Sequence, residues 1–511
     1  MSFISLSFFV LLIISFALYF LIPKRFRWMV LLVSSLAFYV CAGKLKILFA
    51  FVGVIAAYLA SGRISSIYSD DSLDKQAQKK KAKPYLVAGV IILVLLLLFF
   101  KVAQRTFSSL YMVLLGKTIT ISMLVPLGIS YYTFSLIGYM ADVYWRKTSH
   151  EKNILHLLLY AIYFPQIVEG PIPRHKALMP KLLEGHDFDY NRVTFGLQRV
   201  LWGLFKKMVI ADRAALMTAE VFGNHLAYSG IFYLLAVLAS AIQLYADFSG
   251  CMDIALGVSE MFGIELTENF KRPFYSTSAA EFWRRWHITL GAWFKDYVYM
   301  PLVISPWLLK ISKKFRDKWG IRAGKNVMTV IPLFIVWILT GLWHGTGLGY
   351  IIWGLYWGLI IILSTVLEPE LKKLNGILHI NAESSGWKRF QRIRTFLIFS
   401  GGRLLTAPGS LRVSGAMVKS FFRDFNPWIF ASKEIYNAGL SAQNMWCLII
   451  ALLVMAFVSY RQECGVKIRE RVASYPIALR WIIYFALIYA IIIFGIYGPG
   501  YSSSAFVYSQ Y

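Results

Sequence analysis

Two histidines stand in runs of aromatic and small residues where a mostly apolar chain has little reason to place them. His344 closes the run Trp337-Ile338-Leu339-Thr340-Gly341-Leu342-Trp343-His344-Gly345. His287 lies in Glu281-Phe282-Trp283-Arg284-Arg285-Trp286-His287-Ile288-Thr289-Leu290. An imidazole takes up and releases a proton near neutral pH, which suits a general base acting on a hydroxyl. Gly341 and Gly345 are spaced i, i+4, so one helix face beside His344 is bare and a substrate or another backbone can come close. The blander alternative is a histidine buried by a hydrogen bond to a neighbouring helix. Ionisable groups inside a membrane are costly, and their default reading is functional.

Around His287, a helix would put Trp283, Trp286 and His287 on one face, and Arg284 and Arg285 beside Ile288. The charge density of this stretch forbids a lipid-facing span. It fits an interfacial amphipathic helix with an aromatic belt. It also fits a half-buried, re-entrant element lining a cytoplasmic entrance, with arginines that hold the phosphates of a carrier. The two readings are compatible, because irregular backbone at membrane depth lines cavities. Two further stretches carry acids beside breakers or small residues. Phe164 to Arg174 holds Glu169 among Pro165, Pro171 and Pro173, and Tyr245 to Asp253 holds Asp247 beside Ser249 and Gly250. Each is either a break that shapes a cavity or a helix end with a local cap. Cys41, Cys251, Cys447 and Cys464 are scattered, with no CxxC pair, and predict no metal site.

The elements that must position these residues are membrane helices. The chain has 511 residues, 58% hydrophobic and only 15% charged, with mean hydropathy +0.59. Soluble chains carry about 25% charged residues. Leu86 to Phe100 and Val327 to Trp343 hold no charge, and about 20 apolar residues span a bilayer core. Apolar runs near 3–22, 28–42, 47–61, 84–100, 119–140, 153–169, 228–246, 327–343, 348–367, 443–459 and 481–497 give about 11–13 membrane segments, with 193–215 at least half embedded. The net charge of +27 belongs to cytoplasmic loops rather than to nucleic-acid binding. Lys24, Arg25 and Arg27, the Lys79–Lys83 cluster, and Arg461 to Arg480 place the N-terminus and the C-terminal tail outside. The first segment lacks a basic leader and a cleavage site, and reads as a retained helix.

Taken together these stretches resemble the membrane-bound O-acyltransferase family. The likeness is strongest to its bacterial polysaccharide branch, that of the alginate O-acetyltransferase membrane subunits and, more distantly, the teichoic-acid D-alanyl transferases. It is carried in order by Pro126 to Phe134, Phe164 to Arg174, Gly203 to Lys207, Asp247 to Gly250, Glu268 to Phe270, Glu281 to Leu290 and Thr340 to Gly345. The resemblance implies an all-α polytopic membrane protein, a ring of tilted helices with re-entrant elements and a central tunnel. It places the family's two histidines at His344 and His287. Trp343, Trp286, Arg284, Arg285, Asp247 and Glu169 are the expected tunnel or substrate-lining residues. The branch carries a His-Gly after the next helix, where this chain has Tyr356-Trp357-Gly358, and residues 371–440 fit poorly.

The expected organisation is a catalytic membrane core at 1–370, variable helices and basic loops at 371–480, and a last helix with an outward tail at 481–511. The implied reaction moves an acyl group, acetyl above all, from a cytoplasmic thioester, acyl-CoA or an acyl carrier protein, to an extracytoplasmic polysaccharide. No bound cofactor or metal is expected, and no nucleic acid. The partners are membrane lipid, the donor, and an extracytoplasmic SGNH-hydrolase-like acyltransferase. The end Phe506-Val507-Tyr508-Ser509-Gln510-Tyr511 resembles the branch's Phe-x-Tyr-x-x-Phe terminus, which makes Tyr508 the acyl carrier, with Tyr511 a second hydroxyl in place of the final Phe. A transporter or flippase for a lipid-linked glycan is the alternative. It predicts paired broken helices in both halves, and no second copy is visible here.

Overall fold

The computed structural model describes residues 1–115, 126–345 and 347–497, of which 102–115 by their backbone alone. Helix makes up 78% of the chain, with no strand among the described residues. One isolated antiparallel bridge joins Phe270 to Trp286. Seven helical stretches among the described residues are long and apolar enough to cross a membrane, and Leu6–Leu21 is a shorter apolar helix. The chain is therefore an all-α, multi-pass membrane protein. The contacts divide the described residues into two units, one built from Met1–Gly203 and Cys251–Glu268, the other from Leu204–Gly250 and the described residues from Asn269 onward.

The first unit opens with α1 (Leu6–Leu21), α2 (Arg27–Gly43), α3 (Ile47–Tyr68) and α4 (Lys75–Leu115). α5 (Ile129–Tyr144) is buried along its whole length from Ile129 to Val143. It starts at Gly128, whose φ of +65° places it in the left-handed region. An added Cβ there would collide with the Ile167 carbonyl, so only glycine fits. The apolar run at 153–169 does not make a full-length helix. α6 (Ile154–Ile162) stops after two turns, because Pro165, Pro171 and Pro173 withdraw backbone donors and the residue before a proline avoids the helical region. The freed backbone is satisfied inside the protein. Phe164 N donates to Ser35 Oγ at 3.0 Å, Gln166 Nε2 to Tyr160 O at 3.0 Å, and Tyr160 Oη to Pro173 O at 2.9 Å. That is the condition for irregular backbone at membrane depth.

α7 (His175–Glu184) and α8 (Tyr190–Leu204) follow. α8 leads directly into a π-helical segment, Phe205–Ala211, then α9 (Asp212–Gly223) and α10 (Ile231–Met261). Within the first unit α8 meets the end of α10 at a pair of glycines. A Cβ on Gly196 would lie 2.5 Å from Gly257 O, and one on Gly257 2.6 Å from Gly196 O. One turn away Arg199 holds Asp253 at 3.0 Å and, in a fork, both oxygens of Glu268 at 2.7 and 2.6 Å. Small residues let two backbones close, and partly buried charges are paired across the gap.

The second unit continues with α11 (Ala279–Arg285), α12 (Ile288–Phe294), a second π-helical turn at Lys295–Tyr299, α13 (Met300–Val303) and α14 (Pro306–Trp319). The apolar α15 (Ile321–His344) and α16 (Leu348–Val366) pack side by side, followed by α17 (Glu368–Ile377) and α18 (Ser385–Arg403). α19 (Leu411–Arg423), α20 (Ala442–Glu463), α21 (Ile468–Ala473) and α22 (Ile477–Phe494) complete the described chain.

Candidate functional site

His344 is the last residue of α15 and is 8% exposed. A basic residue in the last turn is favoured by the partial negative charge of the exposed carbonyls. Gly345 N closes the helix on Gly341 O at 3.2 Å. The bare face at Gly341 is used by backbone. A Cβ on Gly341 would lie 2.5 Å from Tyr350 O and 3.3 Å from Gly354 Cα, and one on Gly354 would lie 2.5 Å from Trp337 O. A Cβ on Gly345 would run into the Tyr350 ring. Of the two uses expected of these glycines, close helix packing is the one that occurs. It seats α16 against the His344 end of α15.

The seating brings indoles to the imidazole. The Trp343 ring lies 4.6 Å from the His344 ring and the Trp353 ring 4.9 Å, both edge-on at 70° and 78°. Behind Trp353 stand Trp283 at 5.7 Å and Trp337 at 6.2 Å. Trp283 in turn packs on Trp337 at 4.9 Å and on the fully buried Trp357 at 5.0 Å. Trp357 occupies the place where the resemblance expects a histidine, so this corner of the site is aromatic packing. Trp353 was missed by sequence reasoning, which read 348–367 as an ordinary apolar span. The spacing of Gly354 and Gly358 on its helix was the available signal that this face meets a neighbour.

The stretch around His287 departs from the helix expected of it. α11 ends at Arg285, Trp286 is extended, and His287 is left-handed at φ 45°, ψ 53°. Trp283, Trp286 and His287 therefore do not share one helical face. The reason is a clamp from Asn269. Ile288 N donates to its backbone oxygen at 3.0 Å, while Thr289 N and Oγ1 donate to its Oδ1 at 3.0 and 2.7 Å. Lys271 N also donates to Arg285 O at 2.9 Å. A left-handed non-glycine residue is sparsely populated and persists only where its surroundings over-determine it. The kink turns His287 inward to 2% exposure, with Phe248 at 4.8 Å and Trp343 at 6.1 Å. The two histidines thus flank the same indole. This segment lies outside the long apolar helices. Burial pushes the His287 imidazole down to about 3, so it is neutral near pH 7.

The arginines differ in their use. Arg285 Nη1 donates to both Glu463 oxygens at 3.0 and 3.1 Å, its Nη2 pairs with Glu281 at 2.8 Å, and Arg272 joins Glu463 at 2.5 Å. Burial raises the Glu281 carboxyl, but donation from Thr277 and the Arg285 charge outweigh it and leave its pKa below the ordinary value. Arg285 is thus a tie between α11 and the end of α20, whereas Arg284 is exposed.

Asp247 does not mark a break, since α10 runs through Tyr245 to Asp253 without interruption. Lys207 Nζ lies 2.7 Å from Asp247 and 2.8 Å from Asp212, all three buried, and Lys206 donates to Ser249 Oγ at 2.8 Å. The π-helical segment turns both lysines toward α10. Glu169 is fully buried in the 163–174 break of the first unit. Tyr508 and Tyr511 lie outside the described residues. The last described turn is anchored in the second unit, where Arg213 Nη2 donates to Phe494 O at 2.7 Å and Ile496 N to Met208 O at 3.0 Å.

The chain is all-α with a buried histidine at the end of an apolar helix, and sequence comparison defines its family. The profile of MBOAT, the membrane-bound O-acyltransferase family, matches residues 146–315, a span that holds Glu169, Lys207, Asp247 and His287 and ends before His344. The chain is 31% identical over 387 residues to the Pseudomonas aeruginosa protein named "Probable alginate O-acetylase AlgI", covering 75% of this chain and 68% of that one. It is 31% identical over 317 residues to the peptidoglycan O-acetyltransferase of Helicobacter pylori, 57% of each chain. It is 30% identical over 260 residues to the teichoic acid D-alanyltransferase of Bacillus subtilis, 48% of this chain and 60% of that one. The chain belongs to the membrane-bound O-acyltransferase family. It is an acyltransferase.

Proposed function

We propose that this enzyme moves an acetyl group from a cytoplasmic thioester, acetyl-CoA or an acetylated carrier protein, to a hydroxyl bound for an extracytoplasmic polysaccharide. His344 is the general base. The hydroxyl oxygen attacks the thioester carbonyl carbon as His344 takes its proton. The C–S bond then breaks and the thiolate leaves, receiving a proton to become the free thiol. An imidazole has the right affinity for such an exchange, and a phenol or sugar hydroxyl needs a base to attack. The observation that carries this reading is His344 itself, a buried imidazole at the end of an apolar helix and ringed by indoles. His287, neutral and one indole away, is the second histidine of the site. Arg284 is the exposed cation available to the phosphates of a carrier.

The relatives that act on alginate, peptidoglycan and teichoic acid support an envelope polymer as the acceptor. The tail carries the group as an ester on Tyr508 and delivers it to an extracytoplasmic SGNH-hydrolase-like acyltransferase. The protein then sits in the cell membrane with its N-terminus and tail outside, the orientation its basic loops favour.

The test is the full-length protein in proteoliposomes, given isotope-labelled acetyl thioester, with the mass of the C-terminal peptide as readout. The reading expects an added acetyl on Tyr508 in the parent and at least about a hundredfold less in His344→Ala, the lower end of a general-base contribution. Equal label in His344→Ala removes His344 from the chemistry. Label on Tyr511 alone moves the carrier by three residues.

A further inference from the structure

In the second unit a cavity of about 240 Å³ lies between α10, α18 and α19, with Leu234, Val237, Leu397, Leu404, Met417 and Phe421 among its lining. None of the residues placed at the acyl-transfer site lines it. The polar side chains in its wall are already engaged. Ser400 Oγ donates to Phe396 O at 2.9 Å, and Tyr233 Oη is held by the His225 and Tyr228 carbonyls. The wall therefore offers hydrocarbon, which suits an apolar chain and not water or a sugar. The cavity is built into the fold, because α19 is tied at both ends. Ser414 Oγ donates to Leu404 O at 2.5 Å, while Ser420 Oγ and Asn426 Oδ1 accept from Gly230 N and Ile231 N at 3.2 and 2.8 Å. Its mouth is marked by Leu397 and Val418, which are 50% and 42% exposed.

α19 has two faces. Ser414, Met417 and Phe421, spaced i, i+3 and i+7, turn toward the cavity, and Arg412, Lys419 and Arg423, spaced i, i+7 and i+11, share the opposite face and are exposed. Arg423 meets Asp424 at 3.9 Å, both exposed, and among the described residues neither Arg412 nor Lys419 has an ion pair. An apolar face beneath a row of cations is the pattern of a helix lying in the membrane interface, where the cations meet anionic headgroups. The exposed rings of Phe425, Trp428 and Phe430 continue that level. Gly415 leaves the edge between cavity and cations bare, since an added Cβ there would meet nothing within 4 Å.

We propose that the cavity is a phospholipid site. One acyl chain of an anionic membrane phospholipid fills it, and the phosphate lies among Arg412, Lys419 and Arg423. The chain leaves the cavity at Val418 and passes the bare edge at Gly415, and the long stems of Lys419 and Arg423 carry their charges to the phosphate. A lipid held this way fastens α19 against α10 and α18 and takes no part in acyl transfer at His344.

The experiment gives the full-length protein, in nonionic detergent, an equimolar mixture of phosphatidylglycerol and phosphatidylcholine with the same chains, and counts retained lipids by native mass spectrometry. The parent is expected to keep one lipid, phosphatidylglycerol in preference, and to keep it against an excess of glycerol phosphate. Replacing Arg412, Lys419 and Arg423 by glutamine should leave a lipid bound while lowering the preference by about fivefold for each cation removed. Val418→Trp fills the mouth and should lose the lipid whichever its headgroup. Leu397→Trp fills the same mouth from α18 and answers the question if the first variant does not fold. Equal retention in the parent and the folded mouth variants overturns the proposal, as does a parent that keeps both lipids alike. Displacement by glycerol phosphate would reveal a plain anion site, and a copurified polypeptide in place of the lipid a protein partner; either overturns it too.

Discussion

His287 shows how a residue's chemistry is set by its surroundings. Its ring is neutral because burial disfavours the imidazolium, and its backbone is left-handed because Asn269 holds the next two residues. Its pH dependence follows. Between about 6.5 and 3 the unfolded chain binds a proton that the folded site refuses, so this histidine's stabilising contribution is complete above the unfolded value and shrinks as pH falls. At pH 5 the loss is about 2 kcal/mol. Thermal unfolding in detergent at pH 7.5 and 5 should show a fall that is smaller by that amount in His287→Asn; an identical fall would mean the ring is protonated in the folded protein. Asn269→Ala should loosen the kink and cost about 1–3 kcal/mol, the loss expected when buried backbone and hydroxyl donors lose their acceptor. His344 is read differently, by activity, since it is placed to act on a substrate.

The elements position these residues through three devices: glycine contacts between helices, buried ion pairs and interrupted helices. Gly341→Leu drives a side chain into the Tyr350 carbonyl and the Gly354 backbone. Overpacking of this kind costs about 1–3 kcal/mol, occasionally more. Because it also disturbs the packing beside His344, it should reduce transfer more than it reduces the folded fraction measured by size-exclusion chromatography. Gly257→Leu, at the α8–α10 contact of the other unit, should lower stability by a similar amount; activity per folded molecule is the control that separates the two. Lys207→Met removes the cation shared by Asp247 and Asp212. Leaving buried carboxylates without it should cost about 3–5 kcal/mol, and a second change, Asp247→Asn, should restore part of that. A Lys207→Met protein as stable as the parent would show that the lysine is there for chemistry rather than for holding the π-helical segment to α10.

The whole molecule is a membrane enzyme whose described chain stops just beyond α22. Arg213 and Met208 hold the last described turn. Deleting residues 498–511 should leave insertion and thermal stability within about 0.5 kcal/mol of the parent, as for changes away from packed features, while abolishing delivery to the polymer. Polymer acetylation in cells and unfolding of the purified protein are the paired measurements. Undiminished acetylation would end the role of the tail.

Much was legible from residue types alone. Apolar length and low charge specify membrane helices whatever their partners, because the bilayer core must be spanned and every backbone group satisfied within it. His344 stood out for the same reason, as an ionisable group where hydrocarbon makes one expensive, and the structure buries it at a helix end. The prolines after Ile162 foretold a break. Its depth, and the burial of Glu169 within it, depended on acceptors and donors from α2 and α6. Tertiary structure alone decided that α10 runs unbroken past Asp247, since a lysine from a π-helical segment forty residues earlier neutralises it. It also decided that Arg285 is spent on Glu463, that His287 sits in a kink rather than on a helix face, and that Trp353 stands against His344. Each of these outcomes is a contact between residues distant in the chain. Helical periodicity reports only a residue's own face and cannot name what will lie across from it.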